Sequence, residues 1–170
     1  MKDFMKLLAI LLITVSATTA ANAQSLKFGH VDLQGLIQVM PERASAEQEF
    51  NAFQADLEEI LGEMQKDYQT KLAEFEQMDE SVSEIKKNAK VAEIQDVQQR
   101  IQNYQVTAQQ QLQQKNNEIM KPIYDKAKEA IAEVAKEQGL IYVFEVNSLI
   151  YNSNQSVDVL PLVKSKLGIQ

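Results

Sequence analysis

The sequence predicts a mainly α-helical α+β protein, in which one long antiparallel helical hairpin extends from a small β-containing body. Between Pro41 and Gln138 the chain has one glycine, Gly62, and one internal proline, Pro122. This stretch is rich in Glu, Gln, Lys and Ala with apolar residues spaced along it, a composition typical of long helices. Short runs of aromatic and β-branched residues lie on either side of it and predict a few short strands.

The first 23 residues have the pattern of a cleaved signal peptide. Lys2 and Lys6 form a positive start, an apolar run covers residues 7–13, and Ala-Asn-Ala at 21–23 fits the small-x-small cleavage rule. A membrane anchor is the alternative, but such a run is well short of the ~20 residues that span a bilayer. We therefore expect cleavage after Ala23 and a mature protein in the periplasm.

Composition narrows the classes of partner and of chemistry. Removal of residues 1–23 lowers the number of basic residues from 17 to 15 and of acidic residues from 24 to 23, a net charge of −8. Nucleic acids and anionic lipid surfaces are bound by cationic neutralisation, so neither is expected as a partner. The chain has no cysteine, which excludes disulfide and thiol chemistry and a lipoprotein cleavage site.

The hairpin is predicted from the spacing of apolar residues and from a helix-start motif. From Phe50 to Met78 the apolar residues recur at steps of three and four, which places them on one stripe of a helix. Ser-Val-Ser-Glu at 81–84 has the form of a new helix start, so we place the turn near residues 78–83. Pro41 and Pro122 lie about equally far from this turn. We expect them side by side at the base of an arm that covers residues 41–121.

The charges of the two segments also favour antiparallel pairing. Residues 41–80 carry 12 acids and 3 bases, whereas residues 81–138 carry 8 acids and 9 bases. Exposed ion pairs add little stability one by one, but together they favour this arrangement.

Ten of the residues at 95–114 are glutamine. We interpret this tract as solvated helix surface rather than an aggregation-prone tract, because the apolar residues keep helical spacing through it.

Six large residues of the stripe are candidates for packing within the arm or for contact with a partner. We expect these residues first of all to pack the two helices together. A stripe with drifting spacing, however, cannot be buried completely by two helices. Exposed apolar surface on a soluble protein usually marks a binding site. These residues are Phe50, Phe53, Met64, Tyr68, Phe75 and Met78.

The body is predicted to comprise residues 24–40 and 122–170. Runs at 26–32, 140–145 and 149–152 are strand-like, and Asp158 precedes a final short helix. So small a unit buries a modest core and leaves strand edges open, which favours self-association.

Nothing in the sequence indicates catalysis or a metal site. His30 is the only histidine, and it has neither a Glu-x-x-His motif nor a cysteine near it. The five glycines form no phosphate-binding loop. We therefore expect no enzyme activity, no cofactor and no metal, and we interpret His30 as a hydrogen-bonded core or interface residue.

The order of elements and two terminal motifs resemble those of the Skp/OmpH family of periplasmic chaperones. The first motif is Phe-Gly-His-Val-Asp-Leu at 28–33 with Ile-Gln-Val at 37–39. The second is Leu-Ile-Tyr-Val-Phe-Glu at 140–145, which leads into Ile-Tyr-Asn-Ser at 150–153. Met-Pro-Glu at 40–42 is similar to the version in the Bacteroidetes branch.

This resemblance implies a homotrimer in which strands of three subunits form the body and the hairpins surround a cavity. Family members are ATP-independent holdases that bind unfolded outer-membrane β-barrel proteins on their way to the barrel-assembly machinery. The inner faces of residues 41–121 would contact this client. By position, the trimer-body residues would be Phe28, Val31, Ile141, Val143, Leu149 and Ile150.

One property departs from the family pattern. The best-known members are strongly basic, whereas this chain is acidic. Lipopolysaccharide binding and charge-based capture of acidic clients are therefore not expected, which leaves apolar and polar contacts. The alternative function is that of a structural or adaptor coiled-coil protein of the envelope, without chaperone activity and with one folded partner.

Overall fold

The computed structural model describes residues 26–169, so the predicted signal peptide lies outside the described residues. The structure is 74% helical, and it confirms the predicted class of two long helices in a hairpin with a small strand-containing body. In chain order its elements are β1 (Phe28–Val31), α1 (Leu33–Val39), α2 (Glu42–Glu76), α3 (Glu84–Gln138), β2 (Tyr142–Glu145), a 3-10 turn (Val146–Ser148), β3 (Val157–Asp158) and α4 (Leu160–Lys166).

The two long helices differ in length and therefore in reach. α2 has 35 residues and α3 has 55, which correspond to about 50 Å and 80 Å at the helical rise. They run antiparallel and are joined by residues 77–83, where the carboxylate of Asp79 accepts a hydrogen bond from the backbone N–H of Ser81 at 2.8 Å. α3 continues through Pro122 to Gln138. In its last turns, Ile123, Ala127 and Val134 are buried in the same core as Val31 of β1.

Ion pairs across the seam hold α2 and α3 in register. Each pair joins residues at similar distances from the turn, as antiparallel pairing of the acidic and basic segments requires. In three of them a lysine of α3 contacts a carboxylate of α2, whose segment is the more acidic one. The pairs are Lys71–Glu93 (3.7 Å), Lys90–Glu74 (2.7 Å), Lys115–Glu49 (2.5 Å) and Lys126–Glu42.

The body contains a parallel sheet in which the described strands are ordered β2-β1-β3. Phe28 is paired with Tyr142 and His30 with Phe144, while Gly29 is paired with Val157. Because side chains alternate along a strand, the first four of these residues share the outer face of the sheet. The opposite face packs against the helices.

The core lies between the inner face of the sheet, α1, α4 and the C-terminal half of α3. Its buried members are Val31, Leu36, Ile37, Met40, Ala46, Ile119, Ile123, Ala127, Ala130, Val134, Val159 and Val163. Two carboxylates fix the start of α1 beside this core. Asp32 accepts from the backbone N–H of Gly35 at 2.7 Å, and Glu145 of β2 accepts from that of Leu33 at 3.0 Å. These bonds satisfy N–H groups that have no partner within the helix.

The predicted strand at 149–152 is wrong. The structure has a 3-10 turn at Val146–Ser148 followed by a loop, and the third strand lies later, at Val157–Asp158. β1 already pairs with β2 on one side and β3 on the other, so residues 149–152 find no free strand edge beside β1. Strand propensity without a pairing partner does not produce a strand.

Candidate functional surfaces: the outer sheet face and the hairpin

The outer face of the sheet carries a cluster of three aromatic rings. The centroids of Phe28 and Tyr142 lie 6.4 Å apart with nearly parallel planes, and Phe144 lies 6.4 Å from Phe28 and 5.9 Å from Tyr142. These side chains are 40%, 61% and 42% exposed for Phe28, Tyr142 and Phe144 respectively. Aromatic rings on one strand face normally pack on another layer. Here, within the described chain, no second layer covers them.

Further apolar side chains extend the exposed surface around this cluster. Leu26 is about as exposed as the aromatic rings, and Ile150 and Tyr151 project from the loop before β3 with exposures of 107% and 80%. A soluble protein rarely leaves so many large apolar groups together in water, and such a patch usually marks an interaction surface.

His30 ties the loop before β3 to the outer face of the sheet. Its Nδ1 lies 2.9 Å from the hydroxyl of Ser156, and its Nε2 lies 3.2 Å from the amide nitrogen of Asn152. An amide nitrogen can only donate, so Nε2 accepts and Nδ1–H donates to Ser156 in a neutral imidazole. These bonds agree with the expectation of a hydrogen-bonded histidine.

The six residues predicted for the trimer body differ in their exposure to solvent. Phe28, Ile141 and Ile150 are exposed, and Leu149 is half-buried. Val31, however, is only 4% exposed and belongs to the core of the single chain, and the half-buried Val143 packs against that core. The role of the six in self-association stays a prediction.

The sequence prediction missed Tyr142, Phe144 and Tyr151, which contribute much of the exposed surface. The signal was present in the alternation of β2, where positions two apart share one face. Tyr142 and Phe144 stand opposite Phe28 and His30 once the strands pair in register. The sequence contains the alternation, but it does not show which face the helices cover.

The six candidate residues of the arm are all half-buried: five lie in α2, and Met78 lies in the connection to α3. Leu57 and Val97 are buried among them, and the hydroxyl of Tyr104 donates to the backbone carbonyl of Leu57 at 3.3 Å. Lys115 sits 5.9 Å from the ring centre of Phe53. Its hydrogen bond with Glu49 raises the pKa of Lys115. The stripe therefore packs the helices together while part of each side chain stays accessible.

Pro122 and the start of α2 line one groove at the base of the arm. This groove of about 420 Å³ is bordered by Glu42, Ala46 and Ile119 as well as by Pro122. Glu42 directly follows Pro41 in the chain, and its hydrogen bond with Lys126 lowers the pKa of Glu42. The division of the chain into arm and body at these prolines stays a prediction.

Residues 26–169 contain neither a cluster of metal ligands nor a helix suited to cross a membrane. No group of three or more His, Cys, Asp or Glu side chains converges as a metal site there. No helix in that range has both the length and the apolar character needed to cross a membrane.

A long helical hairpin on a small sheet with one uncovered apolar face defines a class of proteins with projecting coiled-coil arms. The chain belongs to the OmpH-like family: the family described as outer membrane protein (OmpH-like) matches residues 27–167, from the start of β1 to the end of α4. The resemblance seen in the sequence is thus confirmed. A comparison with curated proteins gives no match.

Membership of the OmpH-like family implies a general function. The family is periplasmic and of chaperone type, it is generally non-enzymatic, and it is known to bind outer membrane proteins. A chaperone-type role in the periplasm is therefore supported for this chain in general terms.

Proposed function

We propose that the protein is an ATP-independent periplasmic holdase, secreted by a signal peptide that is cleaved after Ala23. It binds unfolded outer-membrane β-barrel proteins between hairpin arms and prevents their aggregation until they reach the barrel-assembly machinery. The observation that carries the proposal is the hairpin itself. Its seam leaves a long row of half-buried apolar side chains accessible on a projecting arm.

The working unit in this proposal is a homotrimer. The exposed cluster of Phe28, Tyr142 and Phe144 supports self-association, because burial of such a face between copies removes apolar surface from water. The number of three comes from the resemblance to the Skp/OmpH family. Three arms that extend from one body would enclose a cavity, whereas a single arm would leave a client open to solvent.

Holding and release follow from many weak contacts. An arm that touches a client at many half-buried apolar and polar groups retains the chain without imposing a conformation. No ATP or other cofactor is required, because the client leaves when its own folding or transfer to the assembly machinery outcompetes these contacts. The acidic surface makes lipopolysaccharide an unfavourable ligand.

The direct test is aggregation of an outer-membrane barrel diluted from urea, followed by light scattering. We expect stoichiometric amounts of the trimer to keep the barrel soluble. Continued aggregation at an excess of the protein would contradict the holdase function. Absence of any effect on aggregation, together with purification of the protein in complex with one folded partner, would favour the structural or adaptor alternative.

Self-association has a separate test. Light scattering at several protein concentrations should give the mass of a trimer, and the double variant Phe28→Ser, Phe144→Ser should dissociate into folded monomers. Ile85→Ser is the matched control, because Ile85 is 83% exposed but lies at the tip of the arm. A wild-type monomer or stable dimer would exclude the trimer.

A further inference from the structure

Two grooves on the arm are lined mainly by amide side chains. The first has a volume of about 530 Å³, and Gln65, Gln69, Gln98 and Gln102 surround Tyr68 and Ile101 in it. The second has a volume of about 620 Å³, and Gln109, Gln110, Gln113 and Asn116 stand beside Phe50 and Val106. Each groove thus combines an apolar surface with several primary amides.

The two grooves lie on the same flank of α3. Their α3 amides at Gln98, Gln102, Gln109, Gln113 and Asn116 are separated by four, seven, four and three residues, a spacing that keeps them on one helix face. From the first to the last they extend over about 27 Å at the helical rise. About eight residues of fully extended polypeptide have the same length.

Most of these amides are available for a ligand. In the described part of the chain, the side chains of Gln98, Gln102 and Gln109 form no hydrogen bond with the protein, whereas Gln99 and Gln113 each donate to an asparagine one turn away. A primary amide has two donors and one acceptor. It can therefore pair with the N–H or the C=O of a peptide backbone, whatever side chain that residue carries.

The flank is also almost free of charge, in contrast to the rest of the acidic arm. Between residues 95 and 114 the ionisable side chains of Asp, Glu, Lys and Arg are limited to Asp96 and Arg100. The first groove has one charged residue in its lining, Lys66, and the second has none. A neutral wall neither attracts nor repels acidic or basic segments, so the second groove cannot select a ligand by its charge.

An unfolded barrel protein presents the matching chemistry. Its strand segments alternate apolar and polar residues, and their backbone N–H and C=O groups have no partners before the barrel closes. The apolar side of such a segment fits against Tyr68, Ile101 or Phe50. The backbone groups of the same segment then face the amides.

We propose that this amide-lined flank is a docking site for the extended backbone of an unfolded polypeptide. The amides of Gln98, Gln102 and Gln109 bind peptide N–H and C=O groups, and the apolar residues between the helices hold alternate side chains. The proposal rests on the holdase function and specifies its contact. Recognition is by backbone, which makes it independent of the sequence and charge of the client.

The experiment compares two triple variants of the full-length mature protein. The groove variant carries Gln98→Ala, Gln102→Ala and Gln109→Ala. The control variant carries Gln99→Ala, Gln111→Ala and Gln114→Ala, which lie in the same helix but line neither groove. Both sets replace glutamine by a stronger helix former, so circular dichroism should show an intact hairpin in each.

Two probes are measured by fluorescence anisotropy: an outer-membrane barrel diluted from urea, and a peptide of alternating apolar and polar residues. The peptide is also made with methyl groups on alternate backbone nitrogens, which removes N–H donors and keeps all side chains. We expect the groove variant to bind both probes about tenfold more weakly, as the loss of several neutral hydrogen bonds predicts. The control variant should bind like the wild type.

Backbone methylation provides the second readout. It should weaken binding to the wild type and to the control variant, but not to the groove variant, whose amides are already absent. Equal binding by the two variants, or an equal effect of methylation on all three proteins, would overturn the docking site. Failure of the wild type to bind the unfolded barrel would instead overturn the holdase function itself.

Discussion

The body and the arm of this protein are stabilised by different kinds of contact. In the body, Leu36 and Ile37 of α1 and Val159 and Val163 near the C-terminus are almost completely removed from water, with exposures of 0–2%. Along the arm, from residue 47 to residue 118, Leu57 and Val97 are the only buried large residues. The remaining stripe is half-buried, and the ion pairs beside it are exposed.

This difference places most of the stabilising apolar burial in the body. Hydrophobic stabilisation scales with the apolar area removed from water, so a half-buried stripe contributes less per residue than a closed core. A region with few fully buried contacts opens and bends at low free-energy cost. A rigid base with a compliant arm would suit the proposed holdase function, in which the arm adapts to many unfolded chains. Substitutions in the body and in the arm test this difference in packing.

The largest effect is expected from a cavity in the body. Leu36→Ala should lower the free energy of unfolding by about 3 kcal/mol, because Leu36 is fully buried and its neighbours cannot collapse completely onto the space. The matched change in the arm, Leu72→Ala, should cost about 1 kcal/mol, since Leu72 is half-buried. Urea denaturation followed by circular dichroism measures both. Equal losses would show that the arm is packed as tightly as the body.

The next effect concerns a glycine in the body. A Cβ added at Gly29 would lie 2.7 Å from Cδ1 of Leu140 and 3.2 Å from the backbone carbonyl oxygen of Val157. The Leu140 side chain can move, but the strand backbone must shift as well, so Gly29→Ala should destabilise the protein by about 2 kcal/mol. The midpoint of urea denaturation reports this change. No loss of stability would mean that the sheet and its helices have free space between them.

The same substitution in the arm should have the opposite sign. Gly62 lies within α2, and an added Cβ there meets nothing within 4 Å. Gly62→Ala should therefore stabilise the helix by up to about 1 kcal/mol, because alanine loses less backbone entropy than glycine. Thermal unfolding of the two alanine variants, measured in parallel, compares arm and body directly. Destabilisation by Gly62→Ala would reveal a close neighbour of the arm in the assembled protein.

The smallest effect is expected from the exposed ion pairs of the arm. A hydrogen bond from Lys90 lowers the pKa of Glu74. The ion pair between Lys90 and Glu74 therefore contributes to stability above the ordinary glutamate pKa, and this contribution is lost as the pH falls through the lowered pKa of Glu74. Glu74→Gln should lower the melting temperature slightly at neutral pH and have no effect at an acidic pH below the lowered pKa.

Glu76→Gln provides the control for that measurement, because Glu76 forms no ion pair within residues 26–169. It should leave the melting temperature unchanged at both pH values. A loss of stability for Glu74→Gln that persists in acid would show that side-chain packing, rather than charge, is responsible.

The sequence alone predicted the hairpin and the class of fold, because helical spacing and composition are local properties. The apolar steps between Phe50 and Met78 and the absence of helix breakers specify two long helices without reference to anything distant. Segment charges also predicted antiparallel pairing, which the pair Lys90–Glu74 displays. The predicted strand at 149–152 failed for the opposite reason, because a strand exists only where another strand pairs with it.

The candidate surfaces were only partly predictable. The stripe of the arm follows from spacing, but the sheet face depends on which side the helices cover. Val31 was expected in the trimer body, yet α1 and α3 bury it in the core of one chain. Tyr142 and Phe144 are absent from the predicted set, although their alternation with Val143 places them together on the other face.

By itself, the sequence determined the class of fold, with two long helices in a hairpin, and the resemblance to the Skp/OmpH family. These depend on composition, period and short motifs, which act over a few residues. Tertiary structure decided which sheet face stays uncovered, where His30 anchors the loop before β3, and how glutamines of α2 and α3 form shared grooves. Each of these depends on groups far apart in the chain, and only packing of the helices on the sheet brings such groups together.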